Sequence, residues 1–236
     1  MKILYSTIFL ILISCFSGIC QRDYSYVPSK RNFKAKYVNY DHKNRKTFTE
    51  IWQLSGKSKD KFGNIKYNIE SEITTIKQNT FYQYFHFTSK DSNFFMGAER
   101  YLDPIKLDSY QRMVIKIKAD SVLLPLKPII GQMLPEAICQ ASILRGTGSI
   151  LMSMNVLLIN RKVDGQESIE TPAGKFKCYR ISTDKISYSG ISKSKTKIVE
   201  WYAINVGLVR MEESNKKGHL INYKVLESIA EDFFIP

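Results

Sequence analysis

Apolar and polar residues alternate with a period of two along much of the chain. Residues 65–75 place Ile, Tyr and Ser at one set of alternate positions and Lys, Asn and Glu at the other. This alternation predicts an antiparallel strand with one face in a core and one face in water. Similar runs predict further strands over residues 80–88, 112–119, 150–158, 176–181 and 220–229. No segment keeps a sustained helical period, so we expect little helix.

Residues 80–88 differ from the other runs because aromatic residues occur at both odd and even positions. The segment reads Thr-Phe-Tyr-Gln-Tyr-Phe-His-Phe-Thr. Aromatic residues favour strands, and their presence on both faces predicts a strand that is covered on both sides.

Turn residues separate the alternating runs. Asp164-Gly165 lies between two apolar stretches and predicts a two-residue hairpin, because both central positions of a type I′ turn need a positive φ. A second turn is predicted at residues 171–174, where Pro fixes φ and Gly accepts the left-handed conformation. Further turns are predicted at residues 62–64, 189–190 and 216–218. Short strands joined by such turns predict an antiparallel meander.

The segment 120–149 interrupts the alternation. It holds Pro125, Pro128 and Pro135 together with three glycines. Proline lacks a backbone donor and is excluded from long helices and central strands. We therefore expect an irregular Pro/Gly-rich segment that crosses an edge or the mouth of the sheet, with one short helical turn around residues 136–141.

The first twenty residues have the character of an export signal. One lysine is followed by an almost wholly apolar stretch over residues 3–16, and no acid occurs before Asp23. A basic start, a short apolar stretch and a small-residue exit predict a secretory signal peptide over residues 1–20.

The processing site is open to more than one interpretation. Cleavage between Cys20 and Gln21 would leave a single domain over residues 21–236. The sequence Leu-Ile-Ser before Cys15 resembles a lipobox, and lipidation there would anchor the protein in the outer membrane. An uncleaved N-terminal anchor is the third alternative.

The domain that follows is strongly basic. The 236 residues include 35 Lys and Arg against 22 Asp and Glu, a formal net charge of +13. The predicted signal peptide contributes one lysine and no acid, so the excess belongs to the folded part. A basic surface favours anionic partners. For an exported protein we expect lipid, another envelope protein or an anionic envelope surface rather than nucleic acid, while the oligomeric state does not follow from the sequence.

Recognisable catalytic chemistry is sparse. The three histidines are far apart, and motifs of metalloproteases, serine hydrolases, P-loops and dinucleotide-binding proteins are absent from the sequence. We therefore assign no catalytic residue, no metal site and no cofactor. One enzymatic alternative stays open, because Glu70 and Glu72 share a predicted strand face about 7 Å apart, as the paired acids of glycan hydrolases can do.

Cys139 and Cys178 are the two cysteines that remain beyond the predicted signal peptide. Export to an oxidising compartment permits a disulfide between them. Two buried free thiols are the alternative, and the sequence spacing does not decide between the two.

Aromatic and methionine side chains supply a candidate ligand-binding face. Inward-facing residues of a curved sheet can line a concave surface that binds an apolar molecule. The candidates are Phe81, Phe85, Phe87, Met113, Met152, Met154 and Trp201. The alternative is that the same side chains fill a sealed core.

Two stretches resemble a known family. Residues 160–179 contain Val-Asp-Gly-Gln-Glu and Thr-Pro-Ala-Gly-Lys-Phe-Lys-Cys-Tyr, and residues 199–210 contain Val-Glu-Trp-Tyr-Ala and Val-Gly-Leu-Val-Arg. Together they resemble the TapB-like family of exported bacterial proteins, a domain of unknown function common in Bacteroidota. The similarity is strongest over residues 155–229 and looser over 34–135. It implies a curved all-β protein similar to the half-barrel lipoprotein carriers of the periplasm, and it implies no catalytic residues.

We therefore predict one all-β domain, built as a single strongly curved antiparallel sheet in the form of a half-barrel or open barrel. The predicted function is that of a non-catalytic cell-envelope protein, exported, with a hydrophobic or amphipathic ligand or a partner protein bound on its concave face. Two alternatives remain: an envelope glycan hydrolase with paired acids, and a structural protein of surface assembly or adhesion with a filled core.

Overall fold

Strands make up most of the chain in the computed structural model, which describes residues 25–27, 33–91, 93–110 and 112–230. The strands are β1 Lys34–Asp41, β2 Lys46–Lys59, β3 Ile65–Thr75, β4 Thr80–Lys90, β5 Asn93–Gly97, β6 Val114–Ala119, β7 Ser121–Pro125, β8 Met133–Leu134, β9 Ala137–Leu144, β10 Ile150–Thr171, β11 Gly174–Ser189, β12 Ser192–Ala203, β13 Gly207–Asn215 and β14 Leu220–Ala230. A 3-10 helix spans Ala98–Tyr101, and helix α1 spans Pro104–Asp108. The predicted signal peptide, with Cys15, Cys20 and Gln21, lies outside the described residues.

The described strands form one antiparallel sheet. Its order is β6-β9-β10-β11-β12-β13-β14-β1-β2-β3-β4-β5-β7, and β8 pairs with β10 beside this path. The first and last strands of the path are consecutive in the chain, so the sheet must curl round and bring its two edges together. The result is a nearly closed barrel with one unsealed seam, which confirms the predicted fold class.

Asp120 joins the two edge strands at the seam. Its backbone N–H donates to the Ile138 carbonyl, and its carboxylate accepts from the Ile138 N–H, both at 2.9 Å. Its carbonyl accepts from the Ala98 N–H at 2.9 Å. One residue therefore holds β9 on one side of the seam and the end of β5 on the other.

Arg161 bridges the seam from inside the barrel. This β10 residue is fully buried, and its guanidinium donates to the Leu123 carbonyl of β7 at 2.9 Å and to the Pro135 carbonyl at 3.0 Å. The guanidinium carries five donors in a rigid fork, so a single side chain can bond two separate backbone segments. Arg161 thereby links β7 to β10, two strands that share no ladder in the described sheet.

Strand β3 follows the sequence prediction closely, with the predicted bounds. Tyr67, Ile69 and Ile73 point inward and are buried, whereas Lys66 and Asn68 are exposed. The alternation therefore marks which side chains contribute to the core, as expected for a sheet with one wet face.

Two predictions about strand faces are wrong. In β4, Phe85 and Phe87 are buried, but Tyr82 and Tyr84 on the opposite face are 53% and 65% exposed. The outer face of β4 is therefore not covered at these positions. In β6, Ile115 packs against the core, but Ile117 on the same apolar face is 48% exposed, because β6 is an edge strand at the seam.

The turn between β10 and β11 lies later than Asp164-Gly165 predicts. Strand β10 runs through Gly165, where the pairing with β11 shifts by one residue. Pro172 and Ala173 form the connection, followed by Gly174 with φ of +130°, which confirms the second turn, predicted at residues 171–174. The glycine that suggests a turn thus marks a β-bulge. The turns predicted at residues 62–64, 189–190 and 216–218 are confirmed.

The segment 120–149 contains more strand than its prolines suggest, because β7, β8 and β9 lie within it. The helical turn predicted over residues 136–141 is wrong. Ala137, Cys139 and Ala141 are buried and alternate with outward residues along β9. Irregular backbone remains only between these strands and after β9.

Aromatic side chains seal one end of the barrel, which we call the closed end. Tyr26 is buried there and donates to the Pro125 carbonyl at 2.9 Å. Its ring packs edge-on against Phe94 and Tyr202, with centroids 5.8 and 5.6 Å away. Gly207 has φ of +100°, and a Cβ at this position would lie 2.6 Å from the Tyr26 carbonyl oxygen. Only glycine allows this close approach.

Candidate functional site

A cavity of about 440 Å³ lies inside the opposite end of the barrel, which we call the open end. Its walls come from β1, β2, β4, β10, β11, β12, β13 and β14. Residues 98–110, which include both short helices and which we call the cap, contribute the remaining wall. Ligand pockets have volumes of roughly 300–1,000 Å³, so the cavity is large enough for a small molecule.

The cap is fixed to the barrel by polar contacts. Within the cap, Asp103 stabilises the start of α1, because its carboxylate accepts from two backbone N–H groups of the helix at 3.1 and 3.2 Å. The Gln83 amide of β4 donates to the Glu99 carbonyl at 3.2 Å. The Tyr110 hydroxyl donates to the Met152 sulfur of β10 at 3.6 Å. The cap therefore crosses the mouth, whereas the segment 120–149, predicted at an edge or the mouth of the sheet, contains the edge strand β7.

Two buried ion pairs form the floor of the cavity. The first joins Glu50 of β2 to Lys224 of β14, both more than nine-tenths buried. Glu50 also accepts from the Trp52 indole N–H and from the Ser71 hydroxyl. The Lys224 ammonium lies 5.6 Å from the Trp52 ring and 5.8 Å from the Tyr37 ring. Aromatic faces at these distances stabilise a buried cation.

The second ion pair joins Arg100 of the cap to Glu200 of β12. The Tyr101 hydroxyl donates to Glu200 at 2.8 Å, and the Tyr202 hydroxyl does so at 3.1 Å. The Arg100 guanidinium also lies 5.3 Å from the Trp52 ring. The two pairs therefore share one aromatic side chain, and the second pair anchors the cap in the barrel interior.

The protonation of Glu50 follows from its partners. Burial raises the pKa of its carboxyl, but the Lys224 ammonium and the hydrogen bonds to the carboxylate outweigh burial and hold the pKa below its ordinary value. Buried charges are tolerated when they are paired and hydrogen-bonded. The surroundings of Glu50 therefore favour its ionised form, paired with the Lys224 ammonium.

Two buried donors at the cavity have no hydrogen-bond partner among the described residues. They are Nδ2 of Asn39 and Nε of Arg100, and both residues line the cavity. A buried unpaired donor costs about 1–3 kcal/mol. A molecule in the cavity with an acceptor oxygen could bond these donors, so the chemistry of the floor favours a ligand that accepts hydrogen bonds.

The walls above the floor are mixed, with apolar side chains beside polar ones that include a third ion pair, Lys185 with Glu213 at 2.7 Å. Phe48, Met154, Val156 and Met211 contribute side chains from the strands, and Ile105 does so from the cap. The cavity therefore offers polar groups at its floor and apolar side chains among polar ones in its walls, a combination that suits an amphipathic molecule.

Five of the predicted ligand residues lie inside the barrel wall, but they do not all reach the cavity. Met154 lines it. Phe85 and Phe87 are buried in the main core, and Phe81 and Met152 are half-buried. Ligand binding by any of these side chains stays a prediction.

Trp201 and Met113 are located away from the cavity. Trp201 packs beside Cys178 in a second apolar cluster, and its indole N–H donates to Glu167 at 2.8 Å. Because neighbours in a strand point to opposite faces, Trp201 faces outward where Tyr202 faces the core. Met113 precedes β6 and is 41% exposed. The predicted concave face therefore contains neither residue.

Glu70 and Glu72, the acids of the hydrolase alternative, lie on the outer face of β3. The neighbouring Ile69 and Ile73 are buried on the inner face, and the cavity lining contains neither acid. The two carboxylates therefore do not face the cavity.

Both cysteines of the domain are free buried thiols. Cys139 packs in the main core, and Cys178 packs in the second cluster. The disulfide that the sequence permits is not formed, because the two side chains belong to different clusters.

We expect neither thiol to react in the folded protein. Burial raises the pKa of Cys139 and of Cys178 to about 12, and the thiolate is the reactive form. Iodoacetamide should label both residues in urea and neither in buffer, as read by peptide mapping. Recovery of a Cys139–Cys178 linked peptide from unreduced protein would contradict this result.

The residues of the floor are not among those that the sequence pattern predicts. A signal for two of them was present, because Glu50 and Lys224 occupy inward positions of alternating strands, where apolar residues are the rule. Arg100 lies in the cap, outside any alternating run. Asn39 gives no signal of its own in the sequence.

Comparisons with known proteins support the fold. The model of the DUF3108-like family matches residues 31–226. A predicted exported protein with YmcC-like fold from Bacteroides fragilis is 18% identical, with a TM-score of 0.73 over 87% of this chain and 98% of that one. A predicted lipoprotein from Parabacteroides distasonis is 20% identical, with a TM-score of 0.76 over 89% of this chain and 100% of that one. No curated protein matches.

Helices contribute little to the described part of the chain, and none there has the length and apolar character needed to span a membrane.

Proposed function

Because this chain belongs to the DUF3108-like family, a family of domains of unknown function, we propose a function from its own cavity: it binds an amphipathic ligand there without catalysis. The head group of the ligand would accept hydrogen bonds at the floor. Its apolar part would lie against the walls and the cap.

One observation carries this proposal, the pair of buried donors without partners on an otherwise satisfied floor. Glu50, Glu200 and Lys224 already bond one another or their neighbours. Asn39 and Arg100 each keep one donor free beside a cavity of about 440 Å³. Apolar pockets with a few convergent polar groups are typical of ligand sites.

We also propose that the protein acts in the cell envelope after export. The two similar structures are a predicted exported protein and a predicted lipoprotein, and the first residues of this chain have the character of an export signal. Cleavage before Gln21, lipidation at Cys15 and membership of the TapB-like family stay predictions.

We expect dodecanoate to bind in the cavity and dodecyltrimethylammonium to bind far more weakly. The two molecules share a tail, but only the carboxylate accepts hydrogen bonds. Replacing Asn39 with leucine removes one donor and should weaken dodecanoate binding about 3- to 10-fold. Ser187 lines the cavity, so Ser187→Trp should fill it and abolish binding. Isothermal titration calorimetry measures each affinity.

The matched control is Ile186→Trp. Ile186 is adjacent in β11 and points to the opposite face, so its replacement should leave dodecanoate binding unchanged. Equal affinity for the two detergents, or equal loss in both tryptophan variants, would overturn the assignment of the cavity as a site for acceptor-bearing amphiphiles.

A second experiment examines the native ligand. Protein isolated from its own envelope should release an amphipathic molecule into organic solvent, detected by mass spectrometry, and Ser187→Trp should release much less. Consistent absence of such a molecule together with absent dodecanoate binding would favour a structural role with a filled interior.

A further inference from the structure

Five turns surround the mouth of the cavity at the open end. With the strand ends that adjoin them, they span residues 42–46, 76–79, 145–149, 190–193 and 215–219, and we call these residues the rim. The rim carries eight Lys and Arg and no Asp or Glu. All eight basic side chains are exposed. The rim is therefore a strongly basic surface of one sign.

Acids near the mouth do not cancel this charge in full. Asp41 is paired with Arg45 at 2.6 Å, and Asp103 is paired with Lys106 at 3.6 Å. Asp108 lies in the cap. The remaining lysines and arginines of the rim still exceed these acids.

Exposed isoleucines project from the same turns. Ile76 is 62% exposed, and Ile191, at the tip of the β11–β12 turn, is fully exposed. Ile105 of the cap is 45% exposed and also lines the cavity. These isoleucines contribute little to the stability of the fold, because side chains exposed at the tips of turns bury little apolar area.

The closed end differs in charge. Its turns include Asp60 and Asp91, next to Lys61 and Lys90, so the signs are mixed there. Phe62 and Ile129 are as exposed as the isoleucines of the rim. The two ends therefore have similar apolar tips, and the single sign of charge distinguishes the open end.

We propose that the rim docks on an anionic lipid bilayer, so that the mouth of the cavity faces the membrane and the ligand passes between bilayer and cavity. This inference rests on the proposed function, because an amphipathic ligand partitions into a lipid bilayer. The partner is identified by charge complementarity between the rim and lipid phosphates.

The chemistry of the rim fits the interface of a bilayer. Lysine side chains place their ammonium groups among phosphates while their alkyl stems stay at the apolar boundary. Isoleucines between them can enter the acyl region, as the apolar face of an interfacial helix does. Ile105 would meet the bilayer from the cap, which places the cap where contact with lipid can affect access to the cavity.

Vesicle flotation provides the test, with exported protein that carries Cys15→Ser so that no acyl chain contributes. The protein should bind vesicles of phosphatidylcholine mixed with phosphatidylglycerol, and bind phosphatidylcholine alone far less. Each basic residue near an anionic surface contributes about fivefold in binding. The triple variant Lys77→Gln, Lys193→Gln, Lys216→Gln should therefore bind about 100-fold more weakly.

Apolar insertion is tested separately. Ile76→Ser with Ile191→Ser should weaken binding about tenfold or more, since full burial of an isoleucine contributes at least that factor. This loss should persist at high salt, whereas the loss from the lysine variant should shrink as salt screens the charges.

The opposite end supplies matched controls. Lys61→Gln, Lys90→Gln and Lys127→Gln remove the same charge, and Phe62→Ser with Ile129→Ser removes similar apolar area. Both control variants should bind vesicles like the parent protein. If they lose as much affinity as the rim variants, net charge or nonspecific apolar adsorption explains vesicle binding, and the docking proposal is wrong. Salt-sensitive retention on an acidic polysaccharide without vesicle binding would also overturn it.

Failure of this proposal is distinguishable from failure of the proposed function. Rim variants leave the cavity intact, so they should bind dodecanoate in solution like the parent protein. Normal dodecanoate binding with no vesicle binding rejects docking alone. Absent dodecanoate binding in the parent protein rejects the cavity function.

Discussion

Replacing Glu200 with alanine should lower the free energy of unfolding by about 3–5 kcal/mol, the range found when one partner of a buried ion pair is removed. Glu200 is 1% exposed and bonds Arg100 and the Tyr101 and Tyr202 hydroxyls. Its loss leaves the buried Arg100 guanidinium without its counter-charge. Urea unfolding followed by tryptophan fluorescence measures the change.

The matched control is Glu212→Ala on the neighbouring strand β13. Glu212 pairs with Arg210 at 2.7 Å, with both side chains about one-third exposed. An exposed pair contributes 0–1 kcal/mol in the median case, so this variant should stay close to the parent protein. A loss below about 1 kcal/mol for Glu200→Ala would show that the floor does not depend on this pair.

The Glu200→Ala variant also connects the stability of the fold with the cavity. Arg100 belongs to the cap, and its pairing with Glu200 holds the cap over the cavity. Hydrogen exchange in Glu200→Ala should therefore be faster in residues 98–108, with a smaller change in β3, because Glu200 bonds both Arg100 and Tyr101 of this segment. Dodecanoate binding should weaken too, because a displaced Arg100 no longer offers its free donor at the floor.

The sequence predicts the fold well where the burial of a residue depends only on the face of its own strand. In β3 the period of two identifies Ile69 and Ile73 as core residues, because each strand residue reports its own face. The pattern is less informative at edges, where Ile117 lies on a regular apolar face but meets no facing layer. The sequence is equally ambiguous at Asp164-Gly165, because a glycine can occur in a β-bulge or in a turn. The pairing of β10 with β11 determines which of the two forms.

The site could not be predicted in the same way. Asn39, Arg100 and Glu200 come from β1, the cap and β12, and they meet only when the sheet curls into a barrel. The sequence marks aromatic and methionine residues as candidates, but most of them fill the wall rather than the cavity. Charged residues at inward strand positions, such as Glu50, are the better signal, because a buried charge requires a partner.

Lys162→Ala is a surface control for replacement of its buried neighbour Arg161. Lys162 follows Arg161 in β10, pairs with Met133 of β8, and points outward into solvent. Its replacement should change the free energy of unfolding by less than about 0.5 kcal/mol, as is usual for surface positions.

Arg161→Ala should lower the free energy of unfolding by about 3–5 kcal/mol, because two hydrogen bonds from a charged donor are lost and a cavity is left. The Leu123 and Pro135 carbonyls lose their donor. Amides of β7 should then exchange faster with solvent, while those of β12 and β13 stay protected. A small loss with unchanged exchange at β7 would mean that Asp120 alone holds the seam. The expected pattern would instead show that one buried arginine replaces the ladder that the barrel lacks.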